Sequence, residues 1–168
     1  MKHILSVLVE NEPGVLTRVA GLFARRGFNI ESLSVSPSLD ENISQITMVV
    51  YGDKRTIEQI VKQLYKLLNV RKVQNFNYIS NITRELMLIK LKMSIKARAE
   101  ILDIIKIFNA NIVDFSQNII TIEVTGETEK LISIESELKK FGIIEYAKTG
   151  KIALVRNLDN IKDRTIGI

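Results

Sequence analysis

Six consecutive residues, Asn11-Glu12-Pro13-Gly14-Val15-Leu16, carry the groups best suited to chemistry in this chain. They lie between an apolar, β-branched run from Ile4 to Val9 and a stretch in which Val15, Leu16, Val19, Leu22 and Phe23 recur at helical spacing. A strand therefore turns into a helix amino terminus here. Asn11 is expected to cap that helix by accepting a bond from the Gly14 amide, and Pro13 to occupy a first-turn position where its missing N–H costs nothing. Gly14 leaves the backbone open to close approach. The unpaired amides and the positive end of the helix dipole favour an anion, such as an amino-acid carboxylate. The same residues would serve equally as a well-capped helix start with nothing bound. Glu12 is expected to face solvent and is given no ligand role.

Other chemistry is sparse. With no cysteine there are no disulfides, thiolate zinc sites or cysteine nucleophiles, and the one histidine, His3, has no partner constellation for a triad or a metal site. His3 is expected to be a surface or strand-end residue, and no catalytic or metal-binding residue is assigned. Asn29 opens the next strand, where its residue type is depleted. A carboxamide meeting a zwitterion at an interface would explain it, and so would a plain turn residue after Gly27. The net charge of +5 raises nucleic acid as a partner. Its cations, however, alternate with acids, as in Arg98, Glu100, Asp103, Lys106 and in Glu135, Glu137, Lys139, Lys140, which reads as solvated faces of mixed charge. No nucleic-acid partner is expected. No apolar run reaches the ~20 residues of a membrane helix, and the amino terminus has neither a signal-peptide core nor a transit sequence. The expected location is the bacterial cytoplasm, or the plastid stroma if the chain is organelle-encoded.

The elements that position these residues form an internal repeat. Strands at Ile4 to Val9, Asn29 to Ser36, Ile43 to Tyr51 and Val70 to Tyr78 alternate with helices striped by Val15 to Phe23 and by Ile57, Ile60, Val61, Leu64 and Leu68. The order βαββαβ then recurs from Leu86 to Lys148. The expected fold is α+β: two ferredoxin-like βαββαβ domains, each an antiparallel sheet with both helices on one face. Residues 1–78 form the first domain, 79–83 a linker, 84–156 the second domain and 157–168 a tail. The first strand is apolar on both faces, so a second subunit or the second domain is needed to cover the face without helices.

Several strings resemble the start of an ACT domain: Asn11-Glu12-Pro13-Gly14-Val15-Leu16, Val19-Ala20-Gly21-Leu22-Phe23, and Arg26-Gly27-Phe28-Asn29-Ile30-Glu31-Ser32-Leu33. More narrowly, the chain resembles the small regulatory subunits of acetolactate synthase, also called acetohydroxyacid synthase. The resemblance runs over both repeats and includes Arg84-Glu85-Leu86-Met87-Leu88-Ile89-Lys90 at the head of the second. It implies an accessory chain of branched-chain amino acid biosynthesis that activates a catalytic large subunit and confers feedback inhibition by valine. The thiamine diphosphate, magnesium and FAD of the reaction belong to that partner, and this chain carries no cofactor. The resemblance further implies a homodimer through the ACT domain. Its effector would lie between Asn11, Gly14 and Val15 of one chain and Asn29 with Ile30 of the other. Thr17 stands where serine is common and keeps the hydroxyl.

Two rival readings use the same topology. Acylphosphatase-like enzymes bind phosphate at this loop with an arginine, whereas Glu10 and Glu12 would repel a phosphate here. An amino-acid-responsive transcription regulator with tandem ACT-like domains would need a helix-turn-helix or a concentrated basic surface, and neither is evident. Valine, leucine and isoleucine differ by about 0.8 kcal/mol per methylene, so discrimination among them is expected to be shallow.

Overall fold

The computed structural model describes residues 1–156; the tail assigned to 157–168 lies outside them. The chain runs β1 (Lys2–Glu10), α1 (Val15–Arg25), β2 (Ile30–Pro37), β3 (Ile43–Tyr51), α2 (Lys54–Leu64) and β4 (Val70–Asn75). It continues with β5 (Asn81–Lys92), α3 (Arg98–Ile107), β6 (Asn111–Phe115), β7 (Ile119–Gly126), α4 (Thr128–Leu138), β8 (Ile143–Lys148) and β9 (Ile152–Val155). Two compact units result. One comprises Met1–Ile82 with the described residues from Gly150 onward, and the other Thr83–Thr149.

In the first unit the strands lie in the order β2-β3-β1-β4, all neighbours antiparallel. Alternation along β1 sends Leu5, Val7 and Val9 into a core with Ile46, Met48 and Val50 of β3, against Val15, Val19, Leu22 and Phe23 of α1 and Ile57, Ile60 and Leu64 of α2. Full burial of each such side chain contributes about 1.5–3 kcal/mol. The second unit repeats the plan with the order β6-β7-β5-β8. Met87, Ile89, Leu91, Ile120, Ile122 and Val124 form its sheet side, and Ile101, Ile104, Leu131, Ile134 and Leu138 its helix side.

Most differences from the expected elements fall at their ends, while β9 (Ile152–Val155) is a strand that the pattern did not announce. Helix α2 stops at Leu64, because i→i+3 bonds from Lys66 to Gln63 and from Leu67 to Leu64 tighten the chain into a turn, leaving Leu68 96% exposed. Strand β4 stops at Asn75, whose Oδ1 accepts from the Asn77 amide at 3.1 Å and starts a 3-10 turn at Phe76–Tyr78. His3 is buried, not a surface residue. It shares the helix-facing row of β1 with Leu5, and its ring centroid lies 6.5 Å from that of Tyr78.

Residues 81–83, expected in the linker, are already strand, and 150–156, expected in the second domain, cluster with the first unit. The contacts show why. Gly150 lies on the Leu33–Ser34 peptide, where a Cβ would overlap the Leu33 carbonyl; the Lys151 amide donates to Ser32 Oγ at 3.2 Å, and the Arg156 amide to the Ser80 carbonyl at 2.9 Å. Ser32 faces away from the helices, pairing across the sheet with Val49, so this segment supplies part of the cover that the second face needs.

Candidate functional site

The turn between β1 and α1 is built differently from its sequence expectation. Gly14, not Asn11, occupies the cap position, with φ +83° and ψ −6°, and no side chain caps the helix. Glycine adopts this left-handed conformation without the steric cost that a Cβ brings. Pro13 precedes the cap instead of entering the first turn. Asn11 cannot cap because it still behaves as an extension of β1. Its amide donates to the Asn42 carbonyl at 2.7 Å, its Nδ2 to the Glu41 carbonyl at 2.9 Å, and its Oδ1 accepts from Ser44 Oγ at 3.0 Å. The first helical bond runs from the Arg18 amide to the Gly14 carbonyl at 3.0 Å, and the Val15 amide reaches back to the Glu12 carbonyl at 3.3 Å. Val15 is 3% exposed and packs in the core, so it anchors the turn. Beyond Gly14 the space is open: a Cβ built there meets nothing within 4 Å.

A polar cluster that the sequence reading missed braces the other side of the turn. Asn69, just ahead of β4, donates through Nδ2 to Glu10 Oε2 at 2.8 Å and to Glu12 Oε2 at 3.0 Å, and its Oδ1 accepts from Arg18 Nη1. Glu10 is also paired with Arg71. Glu12 is therefore exposed but tied, not simply solvated. Two carboxylates balance two guanidiniums, so the turn gathers no net charge from these side chains.

Asn29 is exposed and sits one residue ahead of β2, while Ile30, half-buried, opens that strand and packs on the first core. Register separates the two halves of the expected site. Ile30 lies opposite Val50, which lies opposite His3, whereas Glu10 and then Asn11 lie at the far end of the sheet opposite Ile43 and Asn42. Asn11 is about eight residues from His3 along β1, roughly 26 Å at ~3.3 Å per residue. One chain brings Asn11, Gly14 and Val15 together and holds Asn29 and Ile30 apart from them. Beside Ile30, Glu31 is engaged by Lys2 at 2.6 Å, and that bond is the main reason the Lys2 ammonium pKa is pushed up to about 12.

This arrangement suits the binding of an anion at backbone amides. Among the described residues no three His, Cys, Asp or Glu side chains gather to hold a metal, and no helix is long and apolar enough to cross a membrane.

Comparison with known proteins bears on both units. A family model described as the AHAS small subunit-like ACT domain matches residues 5–72, and one described as the small subunit of acetolactate synthase matches residues 84–157. A probable acetolactate synthase small subunit of Archaeoglobus fulgidus is 48% identical over 93% of this chain and 98% of its own. The chloroplastic acetolactate synthase small subunit 2 of Arabidopsis thaliana is 44% identical over 92% of this chain and 32% of its own length. The crystal structure of the acetolactate synthase small subunit from Thermotoga maritima, 39% identical, covers 94% of this chain and 98% of that one with a TM-score of 0.87. With both of its βαββαβ units matched, the chain belongs to the family of acetolactate synthase small subunits, with an ACT domain at its amino-terminal end.

Proposed function

We propose that this chain is the regulatory subunit of an acetolactate synthase in branched-chain amino acid biosynthesis, activating the catalytic large subunit and making it sensitive to valine. Thiamine diphosphate, magnesium and FAD belong to that partner in this reading, and the pair works in the bacterial cytoplasm or, if the chain is organelle-encoded, in the plastid stroma. The effector site is Asn11, Gly14 and Val15 of one chain with Asn29 and Ile30 of a second copy. The observation that carries the site is the register: an open, left-handed cap at one end of the sheet and the head of β2 at the other.

A homodimer reconciles the two halves. β2 is an edge strand, and an edge strand pairs readily with its own copy about a two-fold axis. Antiparallel pairing of β2 with β2 sets Ile30 of one chain beside Pro37 of the other. Pro37 pairs with Ser44, whose Oγ donates to Asn11 Oδ1, so the distance from the partner's β2 across β2 and β3 to β1 shrinks to about three strand spacings, ~14 Å. The carboxylate of the amino acid then meets the amides at the Gly14 cap and its apolar side chain meets Ile30.

The test is direct. The purified chain alone should consume no pyruvate, should raise the rate of its cognate catalytic subunit, and should make that rate fall as valine is added. Turnover by the isolated chain, or a partner whose rate it leaves unchanged, would refute the proposal.

A further inference from the structure

We infer that Asn69 is a positioning residue for the effector turn and acts through Arg18; this rests on the effector reading just given. Asn69 is 8% exposed, and its backbone is fixed by the sheet, its carbonyl accepting from the Glu10 amide at 2.9 Å. Its carboxamide reaches both limbs of the turn: Nδ2 holds Glu10 and Glu12 on the approach, and Oδ1 holds the Arg18 guanidinium on the helix. Arg18 is the residue whose amide closes the first helical bond, onto Gly14. Holding its head restrains the rotation of the first turn of α1, which Val15 anchors from the core side, and with it the direction in which the cap amides point. Hydrogen bonds to a bound carboxylate weaken steeply once that direction is wrong.

The Arg18 contact is the one that transmits. Glu10 has Arg71 as a second partner, and Glu12 is exposed and can turn to water, so neither depends on Asn69 to be satisfied. The bond to Arg18 links the Asn69 side chain to the helix itself. Asn69→Ala removes every one of these bonds. Arg18→Lys keeps a cationic donor for Asn69 Oδ1 and leaves the bonds from Asn69 to the glutamates in place. The conservative variant therefore isolates the link to the helix.

Calorimetric titration of the full-length chain with L-valine reads the outcome, with thermal midpoints measured alongside. Asn69→Ala and Arg18→Met should each weaken binding tenfold or more, Arg18→Lys should stay within threefold of wild type, and the double variant Asn69→Ala/Arg18→Met should be no weaker than either single one, since both break one link. Wild-type affinity in Asn69→Ala, or an Arg18→Lys that falls as far as Arg18→Met, overturns the inference. If Asn69→Ala does not fold, Arg18→Met, altered at an exposed side chain, carries the test, and its binding valine like wild type overturns the inference as well. A wild-type chain that binds no valine removes the effector reading and this inference together, whereas wild-type binding matched by the variants removes the inference alone.

Discussion

At Gly14 the backbone has φ +83° and no atom stands where a Cβ would go. An aspartate there pays for the left-handed conformation with about 1 kcal/mol but meets no clash, so the fold should persist. Its carboxylate would stand beside that of the bound amino acid. Two like charges at about 4 to 5 Å, with an effective dielectric near 20, repel by roughly 3 to 4 kcal/mol, a hundredfold or more in affinity. Gly14→Asp should therefore abolish valine inhibition in a kinetic assay of the assembled enzyme while activation survives; a variant that still responds at wild-type valine concentrations would move the site elsewhere. Gly14 was legible in the sequence because the Pro13-Gly14 pair is a local signal. The part played by Asn11 was not, because an asparagine between strand and helix can serve either element. The choice is made by Glu41, Asn42 and Ser44, which meet it only through the pairing of β1 with β3. Asn69 was less visible still: it is 57 residues from Glu12 in sequence, and neither composition nor periodicity marks it.

Among the elements, hydrophobic period was the reliable signal, since β3 runs from Ile43 to Tyr51 and α1 begins at Val15 as the alternation and the stripe require. Junctions were not legible, because they are set by side-chain bonds such as Asn75 to Asn77 that compete with the pattern. A second feature beyond pattern is the ion pair at the end of the second sheet. Glu85, its side chain 6% exposed, meets Lys148 at 2.6 Å and accepts from Thr128 Oγ1 at 3.0 Å, joining β5, β8 and the start of α4. Removing the cation takes the full positive charge away from a carboxylate that stays buried. Lys148→Met should destabilise the second unit by about 3 kcal/mol, at the low end for a broken buried pair because Lys148 is a quarter exposed. Denaturant unfolding followed by a probe in that unit checks it, and a loss below about 1 kcal/mol would mean that the pair is solvated. Valine binding, assigned to the first unit, should be unaffected.

For the whole molecule the decisive question is whether each site draws on two chains, since that would make effector binding report on the dimer. The strand register separates Asn11 from Asn29 within one chain by roughly the length of the sheet, so an isologous dimer would form two symmetry-related sites, each taking Asn11 from one copy and Asn29 from the other. Asn11→Ala and Asn29→Ala homodimers would then each carry a defect in both sites. Asn11→Ala also gives up the bonds to Glu41 and Ser44, so the folding of each homodimer is established first by circular dichroism. In a heterodimer of the two variants, one site collects both defects and the other has none. Chains carrying different tags, mixed, refolded and purified as the heterodimer, should thus recover valine binding of wild-type affinity at one site per dimer in a calorimetric titration. A site contained in a single chain could not be restored in this way, because every chain in the mixture keeps its own lesion. A folded heterodimer that binds no valine would confine the effector to one chain, and the separation of the two asparagines along the sheet would then exclude one of them from the site.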